Sequence, residues 1–136
     1  MDTQTLSRTA QRAIEKIDEK IEVMRQMRDC AEKLPDGLDV CVANDRIVVS
    51  IRTLYQLHET RKALRQAFGH WEDHVKIWCS GSWAYVSWKN SDIPYVVIWM
   101  SCSVADFPEE LKGDTCRFEK VERTEYQYVC EARREG

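Results

Sequence analysis

Residues 75–102, VKIWCSGSWAYVSWKNSDIPYVVIWMSC, decide the fold. Their apolar positions recur every second residue, which is the period of a β-strand, and two short polar clusters interrupt them. Val75–Cys79, Trp83–Trp88 and Tyr95–Cys102 therefore read as three strands, turning at Ser80-Gly81-Ser82 and at Asn90-Ser91-Asp92 into an antiparallel meander. In the middle strand, alternation puts Trp83 and Tyr85 on one face and Ala84, Val86 and Trp88 on the other. Both faces thus carry aromatic rings. One face is core, and the other is covered by a helix, a partner or a ligand.

Upstream the period changes. From about Thr5 to Lys33 there is no Gly or Pro, and Ala10, Ile14, Ile17, Ile21 and Met24 recur at spacings of four and three, one stripe of a helix whose other positions are mostly charged. After Met24 the stripe moves to Met27, Ala31 and Leu34, a change of phase that would strain a continuous two-stranded coiled coil. The preferred reading packs this helix on the chain's own sheet, and the alternative is a homodimer through it.

Pro35, Asp36 and Gly37 stop the helix. A hairpin follows, turning at Asn44-Asp45 and pairing Val42 with Ile47, Val40 with Val49 and Leu38 with Ile51, so that one face is apolar and expected to be core. Asp39 and Ser50 fall on the other face. Thr53 and Gln56 have the spacing of a capping box, and Gly69 ends the second helix they open. Its buried stripe is Leu54, Leu57, Leu64 and Phe68. Arg61 breaks that stripe and is expected to tolerate alanine. After a Pro108-Glu109-Glu110-Leu111 turn of helix, Cys116–Val121 and Glu125–Cys130 form a last hairpin. The order α-ββ-α-βββ-ββ makes an α+β single domain spanning 1–136, an antiparallel sheet with two helices on a face.

Composition sets the limits of function. A chain of 136 residues with 43% hydrophobic and 32% charged residues can bury a core and solvate it. Its net charge of -3 gives no general attraction to a phosphate backbone, which disfavours duplex nucleic acid. The first residues lack a secretory pattern and no run spans a bilayer, so the expectation is a cytoplasmic protein without membrane contact. In that compartment its six cysteines would be free thiols, most of them in apolar alternation. All six are expected free, with one alternative: a turn at Glu122–Thr124 would place Cys116 opposite Cys130, where a disulfide or redox pair could form.

No chemistry-bearing motif emerges. The five glycines are scattered and cannot form a phosphate-cradling loop. Gly69-His70-Trp71-Glu72-Asp73-His74 sets two histidines four apart around two carboxylates. On a helix they would share a face and could hold a metal, but Gly69 ends the helix and no further ligand stands at a fixed spacing. Glu72 and Asp73 read as a solvated turn, since neighbours on an extended chain point to opposite sides. No cofactor is expected. The conspicuous feature is that all five tryptophans lie between Trp71 and Trp99. Rigid rings with a polar tip suit contact surfaces and base stacking, so Trp71, Trp83, Tyr85 and Trp99 are the candidate binding rings, with Arg46 and Arg52 as candidate cations.

At Leu64-Arg65-Gln66-Ala67-Phe68-Gly69-His70-Trp71-Glu72, and again at Tyr126-Gln127-Tyr128-Val129-Cys130-Glu131, the second half resembles small accessory proteins of bacteriophages and prophages. The resemblance implies a counter-defence or host-takeover product that works by occupying a surface or sequestering a signal. Three readings follow: a non-catalytic protein that blocks a host protein, a sponge for a small nucleotide, or a metal-dependent enzyme using His70–His74.

Overall fold

A computed structural model describes residues 5–43 and 45–131. Among them run α1 (Arg8–Glu32), β1 (Asp39–Ala43), β2 (Arg46–Ser50), α2 (Leu54–Phe68), β3 (His74–Ser80), β4 (Trp83–Asn90) and β5 (Ile93–Ser103). Two short 3-10 turns, Val104–Asp106 and Glu109–Leu111, lead to β6 (Cys116–Glu122) and β7 (Glu125–Cys130). This is the α+β order that the periodicity predicts.

The helix ends are held by the side chains that mark them in the sequence. The Ser7 hydroxyl accepts from the Ala10 amide at 3.1 Å and opens α1. At α2 the Thr53 hydroxyl accepts from the Gln56 backbone amide at 3.2 Å, while the Gln56 side-chain Oε1 accepts from the Thr53 backbone amide at 3.1 Å, a closed capping box. Gly69 ends α2 at φ 85°, the left-handed conformation that glycine adopts without a steric cost.

β1 to β5 form one sheet in the order β1-β2-β5-β4-β3, and β6 and β7 pair separately. The sheet is not antiparallel throughout as the sequence suggests. β2 runs parallel to β5, with Val49 beside Ile98, because the chain crosses over through α2, β3 and β4 before β5 returns to β2. That placement makes β5 interior, and its run Val96-Val97-Ile98 is buried on both faces. The first hairpin has the expected register, Val40 with Val49 and Val42 with Ile47. Asn44 of its turn lies outside the described residues. β3 and β4 are joined at Gly81-Ser82, with Ser80 opposite Trp83 and Gly81 at φ 59°.

One face of the sheet holds the core. Ala84, Val86 and Trp88 of β4, Val96, Ile98 and Met100 of β5, and Ile47 and Val49 of β2 pack with Leu57 and Leu64 of α2 and Met27 of α1. Among these Ala84, Val86, Ile98 and Leu64 are fully buried. The β6–β7 hairpin closes the far end of this core. Phe118 meets Phe107 edge-on at 4.8 Å between ring centroids, and the Cys79 thiol donates to the Tyr126 carbonyl at 2.8 Å.

Four expectations are corrected. α1 does not lay its stripe on the sheet: within it only Met27 is buried, while Ile14, Ile17, Ile21 and Met24 are 42%, 54%, 49% and 65% exposed. β1 is an edge strand exposed along its length, so Val40 and Val42 share a face with the core without entering it, and a carboxylate at Val40 would keep its water. Asp73 is no solvated turn residue, since its side chain is 5% exposed and paired with Arg61. Finally, Cys116 and Cys130 are joined by a disulfide, which leaves Cys30, Cys41, Cys79 and Cys102 as the free thiols.

Candidate functional site

Strand alternation builds a second, helix-free face on the five-stranded sheet. Opposite the core, the register sets Trp78 beside Tyr85, and Lys76 beside Ser87, which in turn neighbours Trp99. The three rings form one cluster: Trp78 and Tyr85 stack at 5.8 Å, Trp99 meets Trp78 edge-on at 5.2 Å, and Tyr85 to Trp99 is 5.6 Å. Such contacts add to burial and hold the rings as a rigid unit. They are half-buried and stand apart from the core cluster. Trp83, one step further along the same face of β4, is 51% exposed.

Cations gather towards the other end of this face. The Lys76 ammonium lies 5.5 Å from the centre of the Trp78 ring, an electrostatic contact with its electron-rich face. Lys89 and Arg46 alternate onto the same side of β4 and β2, and Asp39 of β1 is the acid that the strands place there. Lys76, Ser87, Lys89 and Asn90 line a hollow of about 390 Å³. Two buried polar groups of these lining residues, the Ser87 hydroxyl and the Asn90 amide nitrogen, have no hydrogen-bond partner among the described residues. Buried groups of this kind are few in folded proteins, and each costs free energy until something satisfies it.

The candidates from the sequence divide accordingly. Trp83, Tyr85 and Trp99 come together on the helix-free face, and Arg46 stands at its rim. Arg52 does not join them; it is exposed just after β2, where its backbone amide donates to Gln56 at 2.6 Å. Trp71 is 2% exposed, a core ring whose indole N–H donates to Asp73 at 2.6 Å. Trp78, Lys76 and Lys89 are additions. Their signal was present, because a two-residue Gly81-Ser82 turn pairs Trp78 with Tyr85, whereas the three-residue Ser80-Gly81-Ser82 turn read from the sequence sets Trp78 opposite Ala84.

The histidine segment does not assemble as a helical pair would. His70 and His74 lie beyond the Gly69 cap, and β3 begins at His74. His70 Nε2 stands 3.1 Å from an Asp92 carboxylate oxygen. Among the described residues no group of three or more His, Cys, Asp or Glu side chains could hold a metal ion. A depression of about 460 Å³ does gather Cys30, His70, Asp92 and Tyr95. Burial pushes the Cys30 thiol up from its ordinary value, the reverse of what an activated nucleophile needs. No described helix is long and apolar enough to cross a membrane.

Comparison with protein-family models, with curated proteins and with solved structures gives no match to this chain, so the site rests on its own residues.

Proposed function

We propose that the chain is a non-catalytic binding protein of the phage accessory, counter-defence kind, which blocks a host protein by laying the helix-free sheet face against it. We place that action in the host cytoplasm. The observation that carries the reading is the rigid Trp78–Tyr85–Trp99 cluster outside the core, flanked by the exposed Trp83. Trp, Tyr and Arg dominate the residues that carry interface energy, because large rings bury much surface and lose little rotamer freedom. The cation-lined hollow favours a partner with an acidic side chain. A carboxylate entering it would meet the Lys76 and Lys89 ammonium groups, charge-assisted contacts made only in the complex.

The small-nucleotide reading is supported by the same rings and cations. It is the weaker one, since the three rings spend much of their surface on each other, whereas a protein surface can use their edges and the hollow together.

The test begins with capture of a host protein by tagged wild-type chain, after which the purified pair is titrated. Lys76→Glu should weaken binding by roughly tenfold or more without moving the melting temperature, and Tyr85→Ala should weaken it as much while lowering the melting temperature through the lost ring contacts. Trp83→Ala, at an exposed position, serves as the variant least able to disturb folding. Unchanged affinity in all three would remove the sheet face from the binding surface. Retention of a nucleotide, seen by native mass spectrometry of protein from its own host, would favour the sponge instead.

A further inference from the structure

The last turns of α1 are seated on the sheet and the rest of the helix is not. Met27 is buried, and Val23, Cys30 and the following Leu34 pack against the core. Before them Ala10, Ile14, Ile17, Ile21 and Met24 keep a strict four-three spacing. That spacing averages 3.5 residues, the repeat of a helix-on-helix seam rather than the 3.6 of a helix lying on a sheet. The change of phase after Met24 is the point where the helix passes from that exposed seam to its own sheet.

The apolar surface does not end with the helix. Val42 and Val40 of the edge strand β1 are 69% and 41% exposed, and a groove of about 210 Å³ lies between Val42 and the helix, lined by Met24, Met27, Ala31, Val42, Ala43 and Ile47 with Arg28 beside them. At the other end of the seam Leu6, just before the cap, is 51% exposed. Together these side chains leave on the order of 700 Å² of surface open, more than the 300–600 Å² patch of an ordinary monomer and close to the 800 Å² each partner buries in a stable complex.

We infer that a second copy of this chain covers the seam, α1 against α1 in antiparallel orientation about a two-fold axis. Three features select a second copy. The repeat is that of two helices packed along each other. The flanks, Glu15, Lys16, Asp18, Lys20, Glu22 and Arg25, carry both signs in equal number, which suits self-pairing and offers no single-signed field to a charged partner. The groove and the free apolar tip lie at opposite ends of one seam about 27 Å long, so a two-fold axis near Glu19 seats each Leu6 and Ala10 over the partner's groove. The same axis sets Ile14 against Met24 and Ile17 against Ile21. In a parallel pair both grooves would lie at one end and both tips at the other. The dimer uses the helix side of the molecule, leaves both helix-free sheet faces open, and does not depend on what those faces bind.

Sedimentation equilibrium of the full chain between about 1 and 100 µM tests the inference, with the expected mass being twice the 16.0 kDa of one chain. Ile17→Glu and Ile21→Glu should raise the dissociation constant on the order of 100-fold, because each sets two carboxylates in an apolar seam. Both positions are exposed within the chain, so far-UV dichroism should stay unchanged and a loss of dimer would not be a loss of fold. Val42→Glu should weaken the dimer as well, since antiparallel docking puts the partner's tip over it. A monomer at 100 µM, a stoichiometry other than two, or a dimer indifferent to Ile17→Glu would overturn the proposal. A dimer weakened at Ile17 but not at Val42 would overturn its antiparallel form.

Discussion

Replacing Arg61 by alanine is the sharpest test of how the tertiary structure changes the reading of a residue. On the helix pattern alone Arg61 interrupts an apolar stripe and looks dispensable. In the fold its guanidinium grips Asp73 with two bonds, Nε at 2.9 Å and Nη2 at 2.8 Å, while the Trp71 indole donates to the same carboxylate at 2.6 Å. The Arg61 side chain is 35% exposed and the Asp73 side chain only 5%. Truncation therefore strands a carboxylate that water reaches poorly and leaves it one N–H donor. Breaking a fully buried pair costs about 3–5 kcal/mol. Because Arg61 is part-exposed, water entering the vacated space offsets some of this, and we expect about 2–3 kcal/mol for Arg61→Ala. In thermal melts that is a fall of roughly 5–10 °C, against less than about 0.5 kcal/mol for the exposed neighbour Arg65→Ala. Urea titration of Arg61→Ala, Asp73→Ala and the double variant should give a coupling of about 1–3 kcal/mol, the double variant losing less than the sum. A melting temperature for Arg61→Ala within 1–2 °C of wild type, with additive losses in the cycle, would refute the assignment of this ion pair as the clasp between α2 and β3 (about 0.5 kcal/mol or less).

Alkylation of unfolded protein without reductant should modify Cys30, Cys41, Cys79 and Cys102 and spare the bonded pair, and Cys116→Ser should lower stability by up to about 3 kcal/mol through loss of a closed loop with a sequence separation of 14. Six reactive thiols under those conditions would refute the cross-link. Burial pushes the thiols of Cys30, Cys79 and Cys102 up from 9.0, so folding favours their neutral form. That contribution is present below the unfolded thiol value and is lost as pH rises through the folded one. Urea midpoints should therefore decline above about pH 9, with Cys79→Ala and Cys102→Ala flattening the decline. A decline unchanged in both variants would assign it to other groups.

Much of the fold was legible because it depends on local physics. Period-two alternation from Val75 to Cys102 gave three strands, the Thr53–Gln56 box and Gly69 bounded α2, and turn length set the register of the first hairpin. The two-faced distribution of aromatics in β4 already separated a core face from another. Three matters were decided only by tertiary structure. Whether a strand is edge or interior depends on where a crossover returns the chain, and so β5 entered beside β2 and left Val40 and Val42 in solvent. Whether an apolar stripe is used depends on whether the sheet reaches beneath it. α1 is longer than the sheet it crosses, which leaves Ile14, Ile17, Ile21 and Met24 exposed among the described residues. Finally, a charge inside an apolar stripe has no fixed meaning in sequence: Arg61 is structural because the link between Gly69 and His74 brings Asp73 back to it, a contact between residues twelve apart that no periodicity encodes.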